Sequence, residues 1–214
     1  MEPGFLHGGA VGGLDARGAV QRETVQVFWG DERHLPPEHP ESNYRMANEA
    51  LVSRVPMPPG NVHRIRGEEQ DAGKAAASYE QTLREFFRLQ GDQLPRFDLI
   101  LLGMGADGHT ASLFPGTPAI REQRRLVLAQ WVEKLRSSRI TLTPPVLSNA
   151  ASVIFLVSGE EKAEALRAVI EGEYQPNRFP AQIVRPAHGR LLWLVDGPTA
   201  RWLHHTPQRY LPAS

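Results

Sequence analysis

The sequence contains no cysteine, and this absence excludes several kinds of chemistry. A chain without a thiol forms no disulfide, uses no cysteine nucleophile and offers no cysteine ligand to zinc. The first residues, MEPGFLHGGAVGGLDARG, also lack the positively charged start and the apolar stretch that define a signal peptide. Both absences favour the cytoplasm, which is the compartment that we predict.

The chain also lacks an excess of charge of either sign and a long apolar run. Lysine plus arginine and aspartate plus glutamate both number 24, so the formal net charge is zero. This balance predicts neither nucleic acid nor a membrane surface as a partner, and no stretch approaches the roughly 18 apolar residues of a membrane span. The 214 residues, of which 41% are hydrophobic, suffice for one domain with a real core, and we expect a monomer.

Short apolar runs alternate with helical patterns along most of the chain. The runs that predict strands are 25–29, 97–102, 125–130, 138–143, 152–157 and 190–196. The patterns that predict helices are 42–52, with Ser42 as N-cap, 72–90 and 159–172. This alternation predicts an α/β domain with a mostly parallel sheet, and such sheets bind ligands at the carboxyl ends of their strands.

A glycine-rich loop, LLGMGADGHTASLFPG (101–116), follows one of these predicted strands. Gly103, Gly105 and Gly108 have the G-x-G-x-x-G spacing of dinucleotide-binding loops. That function also requires a helix that begins in the loop and an acidic residue about 20 positions further on. No helix start is evident in the loop. The position 20 residues after Gly108 is Leu128, which is not acidic. The dinucleotide hypothesis is therefore the weaker interpretation of this loop.

The stronger interpretation is a catalytic loop built around Asp107 and His109, which are two positions apart. Asp107 would either orient the imidazole or contact the substrate. Glycines let the backbone turn sharply and approach a substrate closely. A histidine at a strand end can act as general base, since the free imidazole has a pKa of about 6.5. A histidine that merely fills a turn remains the alternative. The other histidines show no spacing typical of zinc ligands, so we expect no metal site.

Three cations lie near the ends of predicted strands. Arg33 follows a strand that ends at Gly30, and Arg139 begins the run RITLT. Lys162 lies in SGEEK, where Ser158 and Glu161 match the S-x-x-E capping box of a helix start. Solvated surface charges are the alternative for each. Together with a neutral histidine, the three cations favour a phosphorylated substrate that undergoes acid–base chemistry.

These motifs together resemble a known family. The segments FWGDER, SNYRMA, LGMGADGHTASLFPG, RITLT and GEEKAEAL occur in order between about residue 25 and about residue 200. This pattern closely resembles the 6-phosphogluconolactonases, which belong to a wider group that includes the glucosamine-6-phosphate deaminases. The resemblance implies a Rossmann-like three-layer α/β fold with a mostly parallel sheet. It also implies hydrolysis of 6-phospho-D-glucono-1,5-lactone to 6-phospho-D-gluconate in the oxidative pentose phosphate pathway, with no metal or cofactor.

The resemblance also implies a role for particular residues. His109 takes the position of the catalytic base and Asp107 lies beside it, while Arg139 and Lys162 match the positions that hold the sugar phosphate. The further substrate-binding positions are Arg33, Asp31, Asn43, Gly105 and Gly108. Backbone N–H groups of the glycine loop are candidates to stabilise the oxyanion. A glucosamine-6-phosphate deaminase or isomerase, which would share these cations, is an alternative enzyme.

The N-terminal segment departs from the family pattern. Members of the family usually carry a strand–helix region and a GGSTP-like phosphate loop before FWGDER. Residues 1–24 are too short for this region, and HGGAVGG (7–13) has paired glycines without Ser/Thr-Pro. We therefore expect a truncated, poorly ordered or divergent segment 1–24, a lactonase-like domain 25–205 and a C-terminal tail 206–214. A sugar-phosphate binder that has lost activity with this loop is the second alternative.

Overall fold

Strands and helices alternate in the computed structural model, which describes residues 24–204. Among the described residues the strands are β1 (Val27–Phe28), β2 (Asp31–Arg33), β3 (Val62–His63), β4 (Ile100–Leu102), β5 (Val127–Val132), β6 (Ser137–Leu142), β7 (Ser152–Val157) and β8 (Arg190–Val195). The α-helices are α1 (Asn43–Ala50), α2 (Ala72–Phe86), α3 (Pro144–Ser148), α4 (Ala163–Glu171) and α5 (Gly197–Ala200). The expectations for 1–24, except its last residue, and for 206–214 lie outside the described residues.

Parallel strand pairs form two of the sheets. β1 pairs with β3, and β7 lies between β4 and β8 in the other sheet. The side chains of β4 and β7 that face the core are buried, whereas β8 at the edge of this sheet is largely exposed, so its apolar run does not mark a strand covered on both faces. The predicted α/β class with parallel sheets is confirmed. No helix within residues 24–204 is long and apolar enough to cross a membrane.

The third sheet is antiparallel, in the order β2-β6-β5, and differs from the expected parallel arrangement. β5 and β6 form a hairpin because only a short turn, Glu133–Arg136, connects them, whereas a parallel pair needs a crossover of a dozen or more residues. β2 is a strand that the sequence pattern did not predict, since its residues Asp31–Arg33 are all charged. This sheet carries several residues of the site described below.

The helix predictions are largely confirmed. The Ser42 side chain accepts a hydrogen bond from the backbone N–H of Arg45, which caps α1 as expected. α2 buries the predicted apolar face, including Tyr79, whose hydroxyl bonds both the N–H and the carbonyl of Trp29 at 2.8 and 3.0 Å. α2 ends at Phe86 rather than at residue 90, because Arg88 adopts a left-handed conformation with φ of 53°.

Candidate active site

A cleft of about 590 Å³ lies beside the loop that follows β4. The loop contributes Asp107 and His109 to its wall, β2 contributes Asp31 and Arg33, and β6 contributes Arg139. Residues that are far apart in the sequence therefore meet at one cavity. Its wall combines an imidazole, three carboxylates, two guanidinium groups and one ammonium group, which is a set suited to acid–base chemistry on an anionic substrate.

His109 and Asp107 form a hydrogen-bonded pair inside this cleft. The Nδ1 atom of His109 lies 2.5 Å from Oδ1 of Asp107. Because an ionised carboxylate only accepts hydrogen bonds, Nδ1 carries the proton and Nε2 presents a lone pair. Within residues 24–204, Nε2 has no hydrogen-bond partner. The ring stacks on Phe114, with 4.3 Å between centroids, so its orientation is held on one face as well.

The charge of Asp107 is stabilised by its neighbours. Burial raises its pKa, but the hydrogen bond and the charge of His109 and a 3.0 Å hydrogen bond from Lys134 outweigh burial and hold the pKa well below its usual range. Asp107 is therefore ionised wherever the protein is folded near neutral pH. Lys134 was not among the predicted site residues, because nothing in its sequence surroundings indicates that the β5–β6 turn reaches this loop.

The lowered pKa of Asp107 predicts a pH dependence of stability. A carboxyl group with a lower pKa in the folded than in the unfolded state stabilises the fold above its unfolded pKa, and this contribution disappears as the pH falls. We expect wild type to exceed Asp107→Asn in free energy of unfolding by about 1–2 kcal/mol at pH 5, with the difference shrinking below about pH 4. Urea denaturation across this range measures it.

An exposed aspartate supplies the control for this measurement. Asp92 lies in a solvent-exposed turn, so Asp92→Asn should follow the wild-type stability at every pH. A difference between wild type and Asp107→Asn that stays constant down to pH 3 would contradict the lowered pKa. The loss of a contact that involves no titrating charge would have no pH dependence.

Two glycines of the loop make room for side chains of the protein itself, Gly105 for the imidazole and Gly108 for Phe179. A Cβ at Gly105 would lie 2.2 Å from two atoms of the His109 ring and 3.0 Å from Oδ1 of Asp107. Gly108 has a φ of +75°, and a Cβ there would meet Phe179 at 2.8 Å. No helix begins in the described segment 103–116, so the requirement of a dinucleotide site is unmet.

Substitution of Gly105 by alanine therefore tests the site without removing a functional group. The added methyl group would displace the imidazole, and a misplacement of about 1 Å can lower turnover by about 100-fold. We expect kcat to fall by about this factor while the far-ultraviolet circular dichroism stays unchanged. Gly60→Ala is the matched control, because a Cβ at Gly60 would meet nothing within 4 Å. Full activity of Gly105→Ala would show that the imidazole position is not critical.

Arg33 and Arg139 are brought side by side by the register of β2 and β6, in which they are directly paired. Arg139 is only 8% exposed. Burial, followed by the charge of Arg33, lowers the pKa of Arg139. Both guanidinium groups donate to uncharged oxygens, Arg33 to the carbonyl of Glu41 and Arg139 to the Ser137 hydroxyl at 2.7 Å. Two neighbouring cations of this kind have the charge and the donors that suit an anion.

Asp31 and Asn43 connect the cleft to its support. The Asn43 amide donates to the backbone carbonyl of Asp31 at 3.0 Å and to its carboxylate at 3.2 Å. The Ser112 hydroxyl donates to the other carboxylate oxygen at 2.7 Å, and Gln130 donates to the Ser112 carbonyl. Asp31 lies on the cleft wall, whereas Asn43 lies behind it. A direct contact of Asn43 with substrate stays a prediction.

Glu32 is a buried carboxylate that sequence reasoning did not single out. It accepts hydrogen bonds from the N–H groups of Asn43 and Tyr44 at 2.7 Å and from the Ser42 hydroxyl at 3.1 Å. Burial raises its pKa, although these backbone hydrogen bonds oppose the shift. Glu32 thus ties β2 to the N-terminus of α1, next to Arg33.

Lys162 lies apart from the other predicted cations. It is buried, with 5% exposure, at the end of a 3₁₀ turn, Glu160–Lys162, and it does not line the cleft described above. The predicted capping box is wrong: Gly159, with a φ of +109°, precedes the turn, and no side chain caps it. This conformation is one that serine avoids. Gly159 therefore takes the position before the turn, and Ser158 does not cap it. A phosphate contact of Lys162 stays a prediction.

The fold is that of a Rossmann-like α/β protein, and its cleft brings a histidine–aspartate pair together with two arginines. Residues 10–193 match the family described as glucosamine-6-phosphate isomerases/6-phosphogluconolactonase, and the chain belongs to this family. The resemblance stated from the sequence is thereby confirmed.

Curated relatives carry the name of one branch of the family. A 6-phosphogluconolactonase of Synechocystis sp. is 43% identical over 181 residues, which are 85% of this chain and 74% of that protein. A 6-phosphogluconolactonase of Homo sapiens is 42% identical over 174 residues, which are 81% of this chain and 66% of that protein.

Solved structures of the same fold agree. The devB protein superposes with a TM-score of 0.79 at 34% identity, over 86% of this chain and 76% of that one. The 6-phosphogluconolactonase from Trypanosoma cruzi superposes with a TM-score of 0.75 at 31% identity, over 85% and 74%. A monomeric glucosamine-6-phosphate deaminase, at 22% identity and a TM-score of 0.69, shares the fold.

Proposed function

We propose that this chain hydrolyses 6-phospho-D-glucono-1,5-lactone to 6-phospho-D-gluconate, a step of the oxidative pentose phosphate pathway. The observation that carries the proposal is the His109–Asp107 pair in one cleft with Arg33 and Arg139. The names of relatives that are 41–43% identical support it. A monomer and the cytoplasm remain our predictions for oligomeric state and compartment.

His109 acts as the base in this proposal. Its Nε2 takes a proton from a water molecule whose oxygen forms a bond to C1 of the lactone. The tetrahedral intermediate then collapses with cleavage of the bond between C1 and the ring oxygen, and the protonated imidazole gives its proton to that oxygen. Asp107 holds the ring in the required tautomer and stabilises the imidazolium that forms between the two steps.

The two guanidinium groups bind the anionic group of the substrate, its phosphate. Arg139 and Arg33 hold the 6-phosphate, and they lie at the wall from which a bound lactone would reach His109. Lys162 lies outside this lining, so the arginines carry the phosphate proposal. The loop amides are poorer oxyanion donors than expected, because Gly105 N–H donates to the His109 carbonyl and Gly108 N–H to the Gly105 carbonyl, both at 2.9 Å.

Proton release during lactone hydrolysis, followed against the spontaneous rate, tests the proposal. We expect the full chain to accelerate hydrolysis of the phosphorylated lactone far more than that of glucono-1,5-lactone, which lacks the phosphate. Saturable binding of the phosphorylated lactone without acceleration would favour the inactive binder instead. Release of ammonia from glucosamine 6-phosphate would favour the deaminase.

A further inference from the structure

Lys134 is a charged residue of the cleft to which the proposed reaction assigns no role. It lies in the Glu133–Leu135 turn between β5 and β6, and its side chain is 71% exposed. Its Nζ donates a 3.0 Å hydrogen bond to Oδ2 of Asp107, which is 27 positions away in the sequence. Lys134 also lines the cleft that contains His109.

The two oxygens of Asp107 have different partners. Oδ1 receives the Nδ1 proton of His109 at 2.5 Å and its backbone N–H at 3.2 Å, while Oδ2 receives Lys134. A carboxylate held by both oxygens cannot rotate about its terminal bond without losing a charge-assisted hydrogen bond. The orientation of Oδ1 toward the imidazole therefore depends on the cation at Oδ2.

The turn that carries Lys134 is itself held in shape. The indole N–H of Trp131 donates to the Glu133 carboxylate at 2.7 Å, and Arg136 closes the turn in a left-handed conformation with φ of 46°. All three residues belong to the hairpin and not to the loop that carries His109. The hairpin is a separate element of the fold. It thus places a cation at Oδ2 of Asp107, the carboxylate oxygen that does not bond His109.

We propose that Lys134 is a positioning residue that acts on His109 through Asp107, fixing the carboxylate and balancing its charge during proton transfer. This role rests on the proposed lactonase function. The charged groups that share the cleft with His109 are Asp31, Arg33, Glu41, Asp107, Lys134 and Arg139. Only Asp107 and Lys134 of these, among the described residues, are linked to the imidazole by a continuous chain of hydrogen bonds.

Loss of this cation has a definite electrostatic consequence. Without Lys134, the negative charge of Asp107 is no longer compensated, and it stabilises the imidazolium more strongly. A general base works only in its neutral form, so more of the enzyme would be inactive at low pH. The acid limb of the kcat profile should therefore move to higher pH, which the loss of a purely structural contact would not cause.

The experiment compares Lys134→Met, Lys134→Arg and the control Lys74→Met, an exposed lysine on α2. For Lys134→Met we expect kcat to fall by about 10-fold at neutral pH, the acid limb to rise by about 0.5 pH unit, and KM to change little. Lys134→Arg should restore most of kcat, because arginine keeps the charge and the donors. The melting temperature should stay unchanged, since the side chain is largely exposed.

Two results would overturn the proposal. An increase of KM alone would make Lys134 a substrate-binding cation, and unchanged kcat with an unchanged pH profile would remove it from the reaction. If the wild type itself fails to accelerate lactone hydrolysis, the proposed function is wrong. The effect of Lys134 on His109 can still be measured. The ¹⁵N shifts of the His109 ring report its tautomer and titration without substrate, and they should differ between wild type and Lys134→Met but not Lys74→Met.

Discussion

Replacement of His109 by alanine is expected to lower kcat for the phosphorylated lactone by about 10²–10⁴-fold. This is the usual contribution of a positioned general base, which is the role that we propose for the open Nε2 of His109. KM should change little, because the arginines that hold the phosphate are untouched. Initial rates over a range of lactone concentrations, corrected for spontaneous hydrolysis, give both constants.

His188 provides the matched control, since it is an exposed histidine outside the cleft. His188→Ala should retain wild-type kcat. A loss of less than threefold in His109→Ala would remove His109 from the role of base. Comparison of melting temperatures separates a chemical effect from loss of the stacking contact between His109 and Phe114.

Replacement of Arg139 by methionine is expected to raise KM for the phosphorylated lactone by about 10- to 100-fold. A hydrogen bond to a charged group contributes about 1.5–3 kcal/mol, and about 1.4 kcal/mol corresponds to a factor of ten. The unphosphorylated glucono-1,5-lactone should be affected far less, because it lacks the group that Arg139 binds. The ratio of kcat/KM for the two lactones is therefore the measurement that isolates the phosphate contact.

The same substitution should leave the protein as stable as wild type or more stable. Arg139 is a buried cation whose pKa is lowered first by burial and then by the charge of Arg33, so its removal relieves an unfavourable environment. Arg124→Met, which removes an exposed arginine elsewhere, is the control and should change neither KM nor stability. An unchanged ratio for the two lactones in Arg139→Met would refute the phosphate assignment.

The catalytic loop could be predicted from the sequence because its parts are local. Asp107 and His109 are two positions apart, so their hydrogen bond needs no long-range contact. The glycine that the imidazole requires at 105 lies in the same turn. For the same reason, the buried strands, the Ser42 cap and the apolar face of α2 follow from patterns of residues within a few positions of one another.

Two charged residues of the site and its support, Lys134 and Glu32, were missed for physical reasons. Lys134 lies in a hairpin turn, and only the fold of the hairpin against the β4 loop places its ammonium group on Asp107. Glu32 belongs to an all-charged segment that hydrophobic patterning assigns to a loop. In the structure it is buried, and it accepts hydrogen bonds from backbone N–H groups of α1. The run of three charged residues after Gly30, followed by a helix start at Ser42, was the available signal for Glu32.

By itself, the sequence determined the α/β class, the family resemblance and the closeness of Asp107 to His109, since these depend on local spacing and on motifs, while the structure showed that Asp107 bonds the imidazole. The tertiary structure alone decided which cations share the cleft. Arg33 and Arg139 meet because β2 and β6 pair in one antiparallel register, and a shift by one residue would send their side chains to opposite faces. Lys162, equally close to a predicted strand end, does not line that cleft, although its strand β7 lies beside β4, whose following loop carries Asp107 and His109.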